Sequence, residues 1–143
     1  MRIALIQTDL FWQNAIKNRE NFDSKINEIQ SEVHLIVLPE MFSTGFTMNA
    51  SEVAETMQGE TVEWMKLKAK QKNAAITGSL VIAENGKYYN RMFFVFPSGE
   101  IQYYDKRHSF SLAGENKVYT HGDQKVIIDY LDWKICLQVC YDL

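Results

Sequence analysis

The order of apolar and polar positions changes period along the chain, and each period predicts a different element. Residues 3–6 (IALI) form a short continuous apolar run, which predicts a strand buried on both faces. LIVLP at residues 35–39 predicts a second buried strand that ends at its proline. Between them, spacings of four, three and four predict an amphipathic helix carrying Phe22, Ile26, Ile29 and Val33. A strand, a helix and a strand indicate a βαβ unit with two parallel neighbouring strands.

The rest of the chain predicts one more helix and then mostly strands. Residues 61–73 have Val62, Met65 and Ala69 on one face of a helix. Three apolar runs follow, ITGSLVIA, YYNRMFFVF and IQYYDK, separated by the turn signals ENG and PSG. Finally, KVIIDYLDWKICLQV predicts two strands joined by a tight turn at Leu131 and Asp132, and we expect Cys136 to lie buried on the second of them. We therefore predict a single α/β domain over residues 1–143, with a mixed sheet and helices on one side.

Composition narrows the classes of function. A net charge of -3 argues against a nucleic-acid surface, because phosphate binding needs clustered Lys and Arg. No apolar run approaches the roughly 20 residues of a membrane span, so we expect a cytoplasmic protein without a membrane partner. The two cysteines lack a C-x-x-C spacing and there is no paired His spacing, so we expect no metal and no cofactor.

Three polar residues stand directly after predicted strands, where α/β proteins place their sites. Glu40 follows LIVLP, Lys106 follows IQYYD, and Cys140 ends the last apolar run. Each has a plainer structural explanation when it is taken alone. These are a surface carboxylate, a solvated lysine and an inert buried thiol.

Together the three residues resemble the signature of the nitrilase superfamily, the carbon–nitrogen hydrolases, which carry Glu, Lys and Cys in this chain order. The segments LPEMF, YDKRH and VCYDL match its local contexts, and EMFSTGF, KRHSFSLAGE and CYDL are similar to the omega-amidases within it. The resemblance implies an α-β-β-α sandwich. It covers only the N-terminal half of such a protein, so we expect a domain truncated after the nucleophile motif.

The resemblance also implies a role for each residue. Cys140 would be the nucleophile that forms a thioester, with Glu40 as its general base. Lys106 and the backbone N–H of Tyr141 would stabilise the oxyanion, and Glu115 would orient the lysine. The implied substrate is a small-molecule amide, the terminal carboxamide of a short 2-oxo dicarboxylic acid monoamide.

Two alternatives remain open at this point. A Cys–His hydrolase would use Cys140 with His108 or His121 as base, but it leaves Glu40 and Lys106 unexplained. A catalytically inactive module acting in binding or assembly is the other. Whichever function holds, we expect a homo-oligomer, either a dimer or a strand-exchanged assembly. In complete family members the C-terminal half would cover apolar sheet surface that this chain leaves open.

The position of the nucleophile motif at the end of the chain predicts weak catalysis. Nothing in the sequence fixes the backbone of Tyr141, Asp142 and Leu143, and terminal residues tend to fray. We therefore expect these 143 residues to acylate slowly, even if the catalytic side chains meet.

Overall fold

A five-stranded mixed sheet forms the centre of the protein, which is described over all 143 residues by a computed structural model. Its strands lie in chain order: β1 (Ile3–Leu5), β2 (Leu35–Val37), β3 (Ala75–Glu84), β4 (Lys87–Val95) and β5 (Ile101–Asp105). β1, β2 and β3 pair in parallel, whereas β4 is antiparallel to both of its neighbours. The predicted parallel β1–β2 pair and the hairpin turn at Asn85 and Gly86 are confirmed.

Three helices connect the parallel part of the sheet: α1 (Ala15–Asn27), α2 (Ala50–Val53) and α3 (Glu60–Lys72). The Asn14 side chain caps α1 by accepting the Lys17 N–H at 3.1 Å. α3 begins beside the Glu55 carboxylate, which accepts the Thr61 N–H at 2.8 Å, and it ends at Asn73 in the left-handed conformation.

Both long helices pack on the same face of the sheet. Phe22 and Ile26 of α1 and Val62, Met65 and Ala69 of α3 are fully buried there. They meet Ile36, Ile76 and Phe93 from the central strands, so the predicted helix faces do form the core on this side.

A separate hairpin covers the opposite face of the sheet. It consists of β6 (Ile127–Tyr130) and β7 (Trp133–Cys136), joined at Leu131 and Asp132, which have φ of 48° and 63°. Ile128 from the hairpin packs with Phe94 and Tyr104 of the sheet. The tight turn is confirmed, and positive φ at both central residues is what a two-residue hairpin needs.

Three local predictions are wrong. β1 is not buried on both faces, because it is an edge strand and Leu5 is 77 % exposed. α1 ends at Asn27, so Ile29 and Val33 continue the apolar pattern without a helix and only partly pack on the core. β7 is an exposed strand, and Cys136 on it is exposed rather than buried. No helix in the structure combines the length and the hydropathy that a membrane crossing needs.

The direction of the strands places the candidate residues at one edge of the sheet. β5 runs in the same direction as β2, because both antiparallel steps lie between β3 and β5. The carboxyl ends of β2 and β5 therefore point to the same edge. Glu40 and Lys106 follow these two ends, so the fold itself brings them together.

Candidate active site

The loop that carries Glu40 is held by the neighbouring strand. Ser79 of β3 accepts the Met41 N–H on its Oγ at 2.9 Å and the Phe42 N–H on its carbonyl at 3.2 Å. Met41 is fully buried with a left-handed backbone, φ 45°, which an L-residue adopts only when its surroundings enforce it. The orientation of Glu40 is thus fixed by the backbone directly after it.

Lys106 is the centre of the site and is 3 % exposed. Its Nζ donates to Glu40 Oε1 at 2.8 Å and to Glu115 Oε2 at 3.0 Å. Its backbone N–H donates to the Asn90 carbonyl, and its carbonyl accepts the Gly122 N–H, both at 3.0 Å. The structure therefore brings together three of the residues predicted from the sequence.

Lys106 is charged despite its burial. Desolvation lowers the pKa of the ammonium, but the hydrogen bonds and charges of Glu40 and Glu115 outweigh it, so the pKa lies above its ordinary value. The Phe46 ring lies with its centroid 5.5 Å from Nζ and shields this side of the ammonium. An ammonium has three donors, and two of them are used by the carboxylates.

Glu115 lies in a short 3-10 turn, Glu115–Lys117, and is completely buried. Besides Lys106, its Oε2 accepts the Phe110 N–H at 2.6 Å. A buried carboxylate is tolerated only when it is paired and hydrogen-bonded, and Glu115 meets both conditions. Its position beside Lys106 is the one that the resemblance implied.

Asn90 belongs to the same cluster and was not predicted from the sequence. Its Nδ2 donates to Glu40 Oε1 at 2.8 Å and to Glu115 Oε1 at 3.1 Å. The signal that could have found it is an asparagine inside the otherwise β-rich run YYNRMFFVF, one residue before Arg91.

Cys140 does not end a strand, as the sequence suggested, because β7 stops at Cys136. It begins a 3-10 turn, Cys140–Asp142, with a left-handed φ of 46°. Although the residue as a whole is exposed, partial desolvation of the thiol and the Glu40 carboxylate raise its pKa, and Lys106 opposes them in part. The charges of both Glu40 and Lys106 therefore act on the Cys140 thiol, and the balance favours its protonated form.

The end of the chain is anchored, contrary to the expectation that nothing fixes it. The Asp142 carboxylate accepts the Tyr104 hydroxyl at 2.8 Å and the Val139 N–H at 2.9 Å on one oxygen. The other oxygen accepts the His108 N–H at 2.9 Å and contacts the His108 ring nitrogen Nδ1 at 3.0 Å. These bonds hold the turn against the segment that follows Lys106.

The histidines of the alternative site do not meet the thiol. Nδ1 of His108 contacts Asp142, and Nδ1 of His121 lies 3.0 Å from the Arg107 carbonyl. The charged groups that shift the pKa of Cys140 are instead Glu40, Lys106 and Glu115. No group of three or more His, Cys, Asp or Glu side chains is placed to hold a metal ion.

Comparison with known proteins relates this geometry to a family. The carbon-nitrogen hydrolase family model matches residues 2–143. The chain is 39 % identical over 143 residues to omega-amidase YafV of Escherichia coli K12, covering all of this chain and 55 % of that protein. It is 26 % identical to the 2-oxoglutaramate amidase of Bacillus subtilis, covering 99 % of this chain and 56 % of that one.

A solved structure agrees. XC1258 of Xanthomonas campestris, a CN-hydrolase superfamily protein, superposes with a TM-score of 0.96 at 36 % identity, over 99 % of this chain and 54 % of that one. The chain thus spans about half the length of the relatives it matches. Since the family match runs over nearly every residue, the chain belongs to the carbon-nitrogen hydrolase family.

Proposed function

We propose that this chain carries the catalytic residues of an omega-amidase, which hydrolyses the terminal carboxamide of a small 2-oxo dicarboxylic acid monoamide. The observation that supports it most directly is the Lys106 ammonium bound to both Glu40 and Glu115 beside the Cys140 thiol. The identity to the E. coli omega-amidase and to the B. subtilis 2-oxoglutaramate amidase supports the substrate class.

The first half of the reaction is acylation. Glu40 takes the proton from Cys140 Sγ, and the thiolate attacks the amide carbon to form a tetrahedral oxyanion. The C–N bond then breaks, and the protonated Glu40 returns the proton to the departing ammonia. A thioester of Cys140 remains.

The second half is hydrolysis of that thioester. Glu40, now ionised, takes a proton from water as the hydroxide oxygen attacks the thioester carbon. The C–S bond breaks, the thiolate recovers the proton from Glu40, and the free carboxylic acid leaves. One carboxylate thus serves as base and acid in both halves.

Two donors are available for the oxyanion. The third N–H of Lys106 is not used by Glu40 or Glu115, and the backbone N–H of Tyr141 has no partner within the chain. One such donor is typically worth about 3 kcal/mol of barrier.

A homo-oligomer is part of the proposal. Three large apolar side chains are about half exposed or more: Ile3 and Leu5 on β1, and Trp133 on the hairpin. Such surface favours association with another copy. Sedimentation of the chain at several concentrations would show whether it is monomeric.

Ammonia release tests the activity. The substrates are 2-oxoglutaramate, 2-oxosuccinamate and, as a matched control without the keto group, glutaramate. The proteins are this chain and the same chain extended with the C-terminal half of the E. coli omega-amidase, each with a Cys140→Ala control. If glutaramate were hydrolysed faster than the two 2-oxo acid amides, the proposed substrate class would be wrong. Activity that survives in Cys140→Ala would overturn the mechanism, and inactivity of both proteins would favour the binding or assembly module.

A further inference from the structure

Asn90 contacts three of the four other polar residues of the site, although no sequence motif singled it out. It lies in β4, opposite Val81 of β3, and is 1 % exposed. Its carbonyl accepts the Lys106 N–H where the chain leaves β5. Its side chain therefore projects from an interior strand of the sheet, which is a rigid base for orienting other groups.

The side-chain amide closes a ring of hydrogen bonds. Asn90 Nδ2 and Lys106 Nζ each donate to both Glu40 and Glu115, so each carboxylate is held by the same two donors. The ionised carboxylates of Glu40 and Glu115 can only accept hydrogen bonds. The Asn90 amide must therefore be oriented with its NH₂ group, not its oxygen, towards them.

This ring distinguishes the two carboxylates. On Glu40, Oε1 accepts from both Asn90 and Lys106, whereas Oε2 accepts from neither of them. On Glu115, Oε1 accepts from Asn90 and Oε2 accepts from Lys106 and Phe110. Only Glu40 therefore keeps a free oxygen that can take a proton.

A further observation separates this role from simple packing. Asn90 Oδ1 is the one buried side-chain nitrogen or oxygen atom in the protein without a hydrogen-bond partner. A buried acceptor without a partner destabilises a fold, so an apolar residue of similar shape would satisfy packing better. What the asparagine provides here is its pair of donors.

We propose that Asn90 is a positioning residue for the reaction: by occupying Oε1 of Glu40, it leaves Oε2 free to take the proton of Cys140. The inference rests on the proposed function for its catalytic meaning. The geometry it predicts can be measured without any amide substrate, through the reactivity of the thiol.

The measurement is the rate of Cys140 alkylation by iodoacetamide from pH 5 to 10, in a Cys136→Ser background that leaves a single thiol. Glu40→Gln should lower the midpoint pH, because Glu40 raises the pKa of this thiol. Asn90→Leu should lower it towards the same value, since Glu40 is no longer held. A one-unit shift changes the thiolate fraction about tenfold.

The double variant Glu40→Gln/Asn90→Leu decides between positioning and structure. If Asn90 acts through Glu40, the double variant has the midpoint of Glu40→Gln alone. An Asn90→Leu effect of equal size in both backgrounds would overturn the inference. Asn18→Leu is the matched control, since Asn18 is fully buried and donates to the Phe11 and Ser43 carbonyls. It should leave the midpoint unchanged.

Asn90→Ala covers the case in which Asn90→Leu does not fold. It removes the two donors without adding volume or charge, so the midpoint should fall as in Asn90→Leu. A folded Asn90→Ala with an unchanged midpoint would show that the residue has a structural role only. If amides are hydrolysed while the midpoint never moves, the inference on Asn90 alone fails. If the midpoints behave as expected but no amide is hydrolysed, the proposed function alone fails.

Discussion

The carboxylate of Asp142 accepts the hydroxyl of Tyr104 at 2.8 Å, which ties the turn carrying Cys140 to the last part of β5. The same carboxylate accepts backbone N–H groups from Val139 and His108. Desolvation raises its pKa, but these hydrogen bonds outweigh that effect and hold the pKa of Asp142 below its ordinary value. The hydrogen bond between Asp142 and Tyr104 therefore also stabilises the folded state.

Asp142→Asn should destabilise the fold at neutral pH by about 2 kcal/mol, because hydrogen bonds to a charged group are lost. A group with a lowered folded pKa stabilises the fold above its unfolded pKa of about 3.8, and the contribution disappears as pH falls through the folded value. The difference between the two proteins in urea unfolding should thus be full at pH 7 and shrink below pH 4.

Asp129→Asn is the control for that measurement, since Asp129 pairs with Lys134 on the surface and both side chains are 75 % exposed. It should change the free energy of unfolding little at any pH. An Asp142→Asn effect that is constant down to pH 2 would contradict the assignment of charge to these bonds.

Lys106→Arg should lower turnover by about 100-fold in the extended chain, comparable to the loss of one oxyanion donor. Arginine keeps the charge, but its planar fork cannot direct one donor to Glu40, one to Glu115 and one to the oxyanion. Steady-state ammonia release measures the effect. Lys134→Arg, on the surface, is expected to behave like the unmodified chain, and near-normal turnover of Lys106→Arg would refute the role of a positioned ammonium.

Glu40→Gln and Glu115→Gln should differ in the size of their effect on the two steps of the reaction. Glu40→Gln removes the base, so acylation and thioester hydrolysis should both slow by about 100-fold or more. Glu115→Gln leaves the free oxygen of Glu40 in place and loosens Lys106, so its effect should be smaller and similar on both steps. Rapid-quench mass spectrometry of the intact protein follows the acyl-enzyme. Equal losses in the two variants would contradict the distinction.

Arg91→Met should destabilise the fold by about 3 kcal/mol, because it leaves buried charge unpaired. Arg91 is 1 % exposed, donates to Asp105 at 2.6 and 2.9 Å, and reaches Glu84 at 3.1 Å. The double variant Arg91→Met/Asp105→Leu should recover part of that loss, as measured by chemical unfolding. A double variant less stable than Arg91→Met would be the opposite of this expectation.

The sequence predicted the elements whose signals are local. The Asn85–Gly86 hairpin and the buried face of α3 follow from turn chemistry and from periodicity within one segment. Burial of β1 could not be read from its own residues, because it depends on what covers each face of the sheet. The apolar pattern likewise continued past Asn27, where the helix ends.

The candidate site shows the same division. Glu40, Lys106 and Cys140 stand at recognisable motifs, and Glu115 lies in a loop that the resemblance covered. The contacts of Asn90 and Asp142 were missed because they join distant parts of the chain. The carboxylates that accept from the Asn90 side chain lie 25 and 50 residues away from it. Tyr104 and His108, which donate to Asp142, lie 38 and 34 residues away. No spacing rule along the chain connects residues over such distances.

The left-handed backbone of Cys140 lowers the stability of the fold at the position to which we assign the nucleophile. An L-residue in that conformation costs roughly 1–2 kcal/mol relative to glycine, and exposed Cys140 has little packing to lose. Selection for thermal resistance alone would therefore favour glycine at position 140. Under the function proposed above, a thermostability screen without an activity assay should enrich variants that have lost the nucleophile.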